Sequence, residues 1–330
     1  MTVTVTHPGL LATIQDGGRY HSQKYGVIVG GAADDYSYRL ANLLVGNDPA
    51  NAAIEVTMFQ TSFRFEEDTL FAVTGGDLQP LLDGKPLRMW QPVIGRQGEE
   101  LQFQAPRTGA RAYVALAGGV RVPYVLNSRS TYLRANFGGY DGRPLRKGDF
   151  IETGALNLLN ERIFDHLNDY GPAQWTLNYQ ELLDVGQEQV IRFISGNEYP
   201  LFTVESKESI ETDTFTVTSQ SDRMGCRLDG PTLRLKEQKE LLSEAVTAGT
   251  IQVPANGKPI VLLADRQTTG GYPKIGQVIS SDLPKLAQLR PDATIRFQKI
   301  SHREAERILL QNEWTIHQMA LGIRLKVHEV

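Results

Sequence analysis

Short apolar runs rich in branched residues recur along the chain, and most end at Gly, Pro, Asp or Asn. Residues 53–57, 69–74, 111–117, 190–194, 215–218, 250–253 and 293–297 carry the apolar, β-branched character of strands. Turn-bounded strands of this length are the pattern of barrels and sandwiches. Helical spacing is scarcer. One helix is predicted from Asp34 or Asp35 as N-cap through Tyr38, Ala41, Leu44 and Val45, with Gly46 available to cap its end. A second opens with the capping box Ser301-His302-Arg303-Glu304, followed by apolar Ala305, Ile308 and Leu309. A short third covers residues 281–287, with Pro284 tolerated in the first turn. A doubly wound sheet needs a helix after nearly every strand, so the pattern predicts a mostly-β chain with a few packed helices.

The stretch 156–186 is the least strand-like part of the middle. It places Leu158, Leu159, Ile163, Phe164 and Leu167 at roughly helical spacing and then breaks at Gly171-Pro172. The domain boundary is expected here, with an N-terminal β-rich domain at 1–185 and a C-terminal domain at 186–330. A chain of 330 residues exceeds a typical single domain, which makes two packed units the default. No repeat of solenoid period and no low-complexity segment is visible.

Charge narrows the partners. With 34 basic against 38 acidic residues the formal net charge is -4, and the basic residues form no tract, so neither nucleic acid nor an anionic membrane is an expected partner. The single cysteine, Cys226, excludes an intrachain disulfide and reads as a small packed residue. The first eight residues lack a basic and apolar leader pattern, and a cytoplasmic, soluble protein is expected.

Four turns concentrate the polar chemistry. The densest follows the apolar run 259–264 and holds Asp265, Arg266, Gln267, Thr268, Thr269, Gly270, Gly271, Tyr272 and Lys274. Paired glycines let backbone amides approach a ligand, and Arg266 with Lys274 offers an anion site. The second turn contains Ser219, Gln220, Asp222 and Arg223, the third Gln15, Asp16 and Arg19, and the fourth Ser128 and Arg129. Each by itself also fits a structural acid-arginine or serine-arginine clamp. Asp265 and Asp222 are the best candidates for a general base. The chain lacks a phosphate loop, a Gly-x-Ser-x-Gly elbow, a His-Glu-x-x-His pair and a Cys-x-x-Cys pair, and its six histidines show no ligand spacing. Metal ligation is therefore not expected.

Residues 8–19, 40–47, 115–120 and 128–132, together with Ser221-Asp222-Arg223-Met224-Gly225 and Ala264-Asp265-Arg266-Gln267-Thr268-Thr269-Gly270-Gly271-Tyr272, carry a family resemblance. They resemble the family of the 5-oxoprolinase C subunit and biotin-dependent carboxyltransferases, also called allophanate hydrolase subunit 2 or KipA-like. The likeness runs in order over nearly the whole chain and departs mainly around residues 156–188 and at Cys226, where an aromatic residue is expected. It implies a mostly-β architecture of two related cyclophilin-like β-barrel halves with a few short packed helices. It also implies work with a KipI-like subunit of the allophanate hydrolase subunit 1 type and a LamB/YcsF-like subunit, in an ATP-dependent opening of 5-oxoproline to glutamate. No cofactor is expected on this chain alone. ATP enters at the level of the complex, and biotin in the alternative of a carboxyltransferase acting on urea or a similar small amide. A second alternative is a non-catalytic regulator that binds a KipI-like inhibitor. In the first reading Arg266 and Lys274 hold a carboxylate or developing oxyanion, Asp265 or Asp222 handles a proton, and Gln267, Thr268 and Thr269 orient the ligand amide.

Overall fold

In a computed structural model of the chain, residues 1–184, 186–237, 239 and 241–328 are described. Residue 185, which closes the expected N-terminal domain, and residue 330 lie outside the described residues. The chain is mostly β and divides into two units, one of Met1–Arg19, Asp34–Leu183 and Trp314–Val330, the other of Tyr20–Ala33 and Asp184–Glu313.

The first unit is built from two antiparallel sheets. Six strands run in the order Phe150–Glu152, Thr2–Pro8, Thr61–Phe65, Glu100–Gln102, Leu81–Leu82 and Lys85–Pro86. Five run in the order Leu11–Gln15, Ala53–Thr57, Arg111–Leu116, Thr69–Gly75 and Pro92–Gly95. Val3, Val5, Phe63, Phe65 and Leu101 from the first sheet share one core with Ile14, Ile54, Val56, Phe71, Val73 and Val114 from the second. The helix Asp35–Leu44 packs against Thr69–Gly75 and Arg111–Leu116, so both strands are buried on two faces. That double burial is why both read as unbroken apolar runs rather than alternating ones.

The helix starts where the sequence predicts. Asp34 accepts from the backbone N–H of Ser37 at 3.0 Å and from its hydroxyl at 2.6 Å. Past its end Gly46 takes a φ of 78°, which a side chain would strain. Asn47 then joins three elements: its amide nitrogen donates to Asn42 at 2.9 Å and the Leu116 carbonyl at 2.8 Å, and its oxygen accepts from Gly118 at 2.9 Å and Asn160 at 3.1 Å. Asn160 lies in the helix Leu158–Tyr170, which a capping box from Asn157 opens and Gly171 closes. The helical spacing in the 156–186 stretch is thus a real helix.

The second unit is a closed barrel of seven strands. Around it run Glu188–Ser195, Lys274–Val278, Thr250–Gln252, Ile260–Leu262, Gly225–Asp229, Thr214–Val217 and Thr294–Lys299, and the last pairs in parallel with the first. Its interior is filled by Ile191, Phe193, Phe215, Val217, Leu228, Ile251, Val261, Ile275, Ile295 and Phe297, with Phe297 edge-on to both Phe193 and Phe215. Cys226 is buried in this core.

The predicted short helix appears as a turn at Ser280–Asp282 followed by Leu283–Gln288. Its Asp282 is fully buried and accepts from the Arg192 side chain at 2.9 and 2.6 Å and from the Arg192 backbone N–H at 2.8 Å, with Lys285 at 3.2 Å. Burial opposes ionisation, yet these donors hold the Asp282 carboxyl below the usual carboxylate range. A depressed folded pKa adds stability that is present above the unfolded value and is lost as pH falls through the folded one. Asp282→Asn should therefore lower stability near neutral pH and flatten the acid limb of the unfolding free energy, measured by urea titrations at pH 3 to 7.

The last helix, His302–His328, opens at Ser301, whose hydroxyl accepts from the Glu304 N–H at 3.2 Å. Its 27 residues exceed the pattern read from Ala305 to Leu309, where Ala305 and Ile308 are half-buried and Leu309 is exposed, and the buried positions come later, at Ile316 and Ile323.

Candidate functional site

The strand Ile260–Leu262 delivers the polar loop. Leaving the barrel, the chain donates from Leu263 N to the Met224 carbonyl at 2.9 Å and from Asp265 N to the Arg223 carbonyl at 2.8 Å. These bonds lay the 264–266 turn along the 222–225 turn, so two of the four sequence-predicted clusters come together in the second unit. Arg223 completes the join, donating from Nε and a terminal nitrogen to the two Asp265 oxygens, each at 2.9 Å, and to the Gly31 carbonyl at 2.5 Å. Side-chain exposures of 7% for Arg223 and 11% for Asp265 make this a buried bidentate pair. Asp265 is consequently engaged in holding two loops together.

Asp222 has a local duty: one of its oxygens accepts from Met224 N at 2.8 Å and Gly225 N at 3.2 Å, closing the turn. Ser219 and Gln220 stand exposed on the same loop. Arg266 differs from its neighbours. Half-buried, its guanidinium donates among the described residues to the carbonyls of Val246 and Leu263, both at the long distance of 3.4 Å. Among the described residues no carboxylate lies within ion-pair distance of it. Burial pushes its pKa down, while Tyr20 and Asp265 act in the opposite direction. Among the described residues Arg266 is thus a partly desolvated cation without an ion-pair partner, which is chemistry that suits an anion.

Lys274 is placed otherwise. It is buried, with Nζ at 3.4 Å from Glu198 and 3.3 Å from Glu244. Two carboxylates already neutralise the charge that the sequence assigns to a ligand. Between Arg266 and Lys274 runs a ribbon in which Thr269–Gly270 pairs with Glu244–Ala245, and Val246 N donates to the Thr268 carbonyl at 3.1 Å. Gln267, Thr269 and Tyr272 are exposed on it, with Thr268 and Gly271 half-buried. A side chain at Gly270 would collide with the amide of Gln252 in the strand below. Gln252 is absent from the sequence-based candidates, although a glutamine inside the strand run 250–253 is a visible signal.

The other two clusters meet in the first unit. Asp16 accepts from Gly18 N at 2.9 Å, Arg129 N at 2.5 Å, and the hydroxyls of Ser128 at 2.8 Å and Ser130 at 2.5 Å. Three of these donors converge on one carboxylate oxygen and one meets the other, so both oxygens are engaged. Arg19 is fully buried, donates to the carbonyls of Val125 and Ser130 at 2.8 Å each, and lies over the Phe137 ring. Arg129 donates to the Val122 carbonyl at 3.0 Å and covers Tyr124. Gln15 is buried and donates to Thr13 at 3.0 Å. Among the described residues no group of histidine, cysteine and carboxylate side chains is arranged to hold a metal ion.

Residues 25–299 match the family model of the carboxyltransferase domain, subdomain A and B. The chain belongs to that family. As a member it is 38% identical to the C subunit of 5-oxoprolinase from Haemophilus influenzae, covering 93% of this chain and 94% of the relative. It is 36% identical to the C subunit of 5-oxoprolinase from Escherichia coli, covering 95% and 98%. Among solved structures, the K. lactis urea amidolyase superimposes with a TM-score of 0.86 at 27% identity over 96% of this chain, which corresponds to only 20% of that much longer polypeptide. The likeness read from the motifs is thus the family of the chain. No helix among the described residues is long and apolar enough to cross a membrane.

Proposed function

We propose that the chain is a subunit of an ATP-dependent 5-oxoprolinase that opens 5-oxoproline to glutamate, and that its barrel unit contributes the site for the lactam acid. The carrying observation is Arg266, a half-buried guanidinium held by two backbone carbonyls and, among the described residues, by no carboxylate. The names of two relatives that align over nearly their full lengths support the same reading.

In this reading Arg266 takes the substrate carboxylate, or the oxyanion that develops as the ring amide is attacked. Gln267, Thr268 and Thr269 supply hydrogen bonds to the amide from the same loop, and Gly270, Gly271 and Tyr272 shape its wall. Arg223 and Asp265 position Arg266 by fixing the turn on which it stands, and Lys274 fixes the other end of the loop through Glu198 and Glu244. Proton transfer falls to a group outside the Arg223-Asp265 pair, since both Asp265 oxygens already accept bonds. Asp222, Ser219 and Gln220 border the loop, while the Asp16 cluster, with Gln15, Arg19, Ser128 and Arg129, supports the first unit. ATP chemistry comes with partner subunits, a KipI-like and a LamB/YcsF-like protein, because this chain has no phosphate loop.

A urea carboxyltransferase is the second reading, favoured by the superposition on urea amidolyase. The two substrates share a planar amide and differ in the carboxylate, so Arg266 separates them. Copurified with its partners, the wild-type chain should show 5-oxoproline-dependent ATP hydrolysis. Arg266→Ala should raise KM about 10-fold or more, the worth of a charge-assisted contact, with Arg266→Lys intermediate. An unchanged KM in Arg266→Ala would remove the site assignment, and urea-dependent turnover with a carboxybiotin donor in place of 5-oxoproline activity would favour the second reading.

A further inference from the structure

Gln252 is 2% exposed, and its amide nitrogen has no hydrogen-bond partner among the described residues. Its place in the fold explains what it faces. Ile251 points into the barrel, as does Ile275 on the neighbouring strand, so by the alternation of a strand Gln252 and its cross-strand partner Lys274 share the outer face. Over that face lies the ribbon of Glu244–Ala245 and Thr269–Gly270. Gly270 sits directly against the Gln252 amide, Val246 flanks Gly270, and the Val246 carbonyl receives the Arg266 guanidinium. The Gln252 amide, the Lys274 ammonium held by Glu198 and Glu244, and the Arg266 guanidinium, which has no ion-pair partner among the described residues, are thus joined through this ribbon.

An amide buried without a partner destabilises a fold, whereas methionine would fill a similar volume without that penalty. Gly270 lies so close to the Gln252 amide that a Cβ would stand 2.3 Å from its nitrogen, so an acceptor supplied from outside the chain reaches that donor when the ribbon lifts away. The ribbon is short: among the described residues two residue pairs, Glu244 with Gly270 and Ala245 with Thr269, the Val246 N–H to Thr268 carbonyl bond and the Lys274–Glu244 ion pair hold it, few enough bonds for a cover that opens for a ligand.

We infer that Gln252 is a recognition residue whose amide N–H donates to the carbonyl oxygen of a small planar amide bound beneath the Thr269–Gly270 ribbon. The choice of 5-oxoproline as first probe rests on the function proposed above; urea, which carries the same carbonyl without a carboxylate, serves as the second. Proline, which keeps the ring and carboxylate but lacks the lactam carbonyl, is the control.

The test is calorimetric titration of these three compounds into the chain assembled with its partner subunits, using wild type, Gln252→Met and Gln252→Glu. Gln252→Met should melt at the same temperature as wild type or higher, yet bind 5-oxoproline about 10- to 100-fold more weakly, the worth of the lost bond. Gln252→Glu, with an acceptor in place of the donor, should bind more weakly still, and neither change should alter the response to proline. In turnover the loss should fall on KM. If Gln252→Met binds both amides as wild type does, or the wild-type assembly turns over 5-oxoproline with a KM that Gln252→Met leaves unchanged, the inference fails and the proposed function stands. If the assembly shows no 5-oxoproline turnover but binds urea in a Gln252-dependent way, the proposed function fails and the inference stands. Wild-type binding of neither amide overturns both.

Discussion

Arg223→Ala is expected to destabilise the chain by about 3–5 kcal/mol in equilibrium urea unfolding, the range for breaking one side of a buried ion pair. The loss comes mainly from what is left behind. Both Asp265 oxygens would lose their donors in a site where the carboxylate is almost fully covered, and the Gly31 carbonyl would lose its 2.5 Å bond. Asp265→Ala should cost a similar amount by stranding the guanidinium. The double replacement should then cost less than the two singles added, with a coupling of about 1–3 kcal/mol, because neither charge remains to be stranded. Additive effects would show that the pair does not hold the loops as a unit.

The same replacement bears on function through Arg266. The turn carrying Arg266 is fixed by the Asp265 N–H to Arg223 carbonyl bond and by the side-chain pair beside it. Loss of that frame loosens a cation that has no carboxylate among the described residues. Arg223→Ala and Arg266→Ala should thus both impair turnover, but only the first should shift the unfolding midpoint strongly. This contrast separates a positioning residue from one that meets the ligand.

Sequence patterning carried the fold class because the central strands of the first unit are apolar on both faces, and Thr69–Gly75 and Arg111–Leu116 stand out in any window. Thr2–Pro8 and Lys274–Val278 were not among the predicted strands for an equally physical reason. Lys274–Val278 interrupts its apolar residues with a glycine and a glutamine, while Thr2–Pro8 does alternate threonine with the core valines Val3 and Val5, a strand period too short and threonine-rich to stand out beside the apolar runs. The four polar turns were legible as clusters, but their roles were not. Asp265 and Arg266 are adjacent in sequence and share one composition, yet Asp265 is committed to Arg223, forty-two positions away, and Arg266 is committed to no acid among the described residues. Which arginine finds a carboxylate is decided by long-range contacts that local spacing does not encode. Gln252 escaped for the complementary reason: its significance lies in the bond that its amide nitrogen does not make among the described residues.

Asp16→Ala is expected to cost about 3–4 kcal/mol, at the level reached when several buried donors lose their acceptor together. The two Asp16 oxygens receive the backbone N–H groups of Gly18 and Arg129 and the hydroxyls of Ser128 and Ser130, and the Asp16 N–H in turn donates to Ser130 at 3.0 Å. The end of the strand Leu11–Gln15 is thereby fastened to the 128–131 turn, a join that Thr131 continues by donating from both its N–H and its hydroxyl to the Ile14 carbonyl at 2.9 Å. Removing the carboxylate leaves four donors facing a dry space. Asp16→Asn keeps the shape but turns one acceptor into a donor, which then opposes an N–H or a hydroxyl, so it should recover little of the loss. Serine to alanine at both 128 and 130 removes two of the donors as well as hydrogen bonds, and in that background Asp16→Ala should cost visibly less. If Asp16→Ala instead left urea unfolding unchanged while abolishing turnover, the cluster would be a ligand site rather than the clamp its four hydrogen bonds describe.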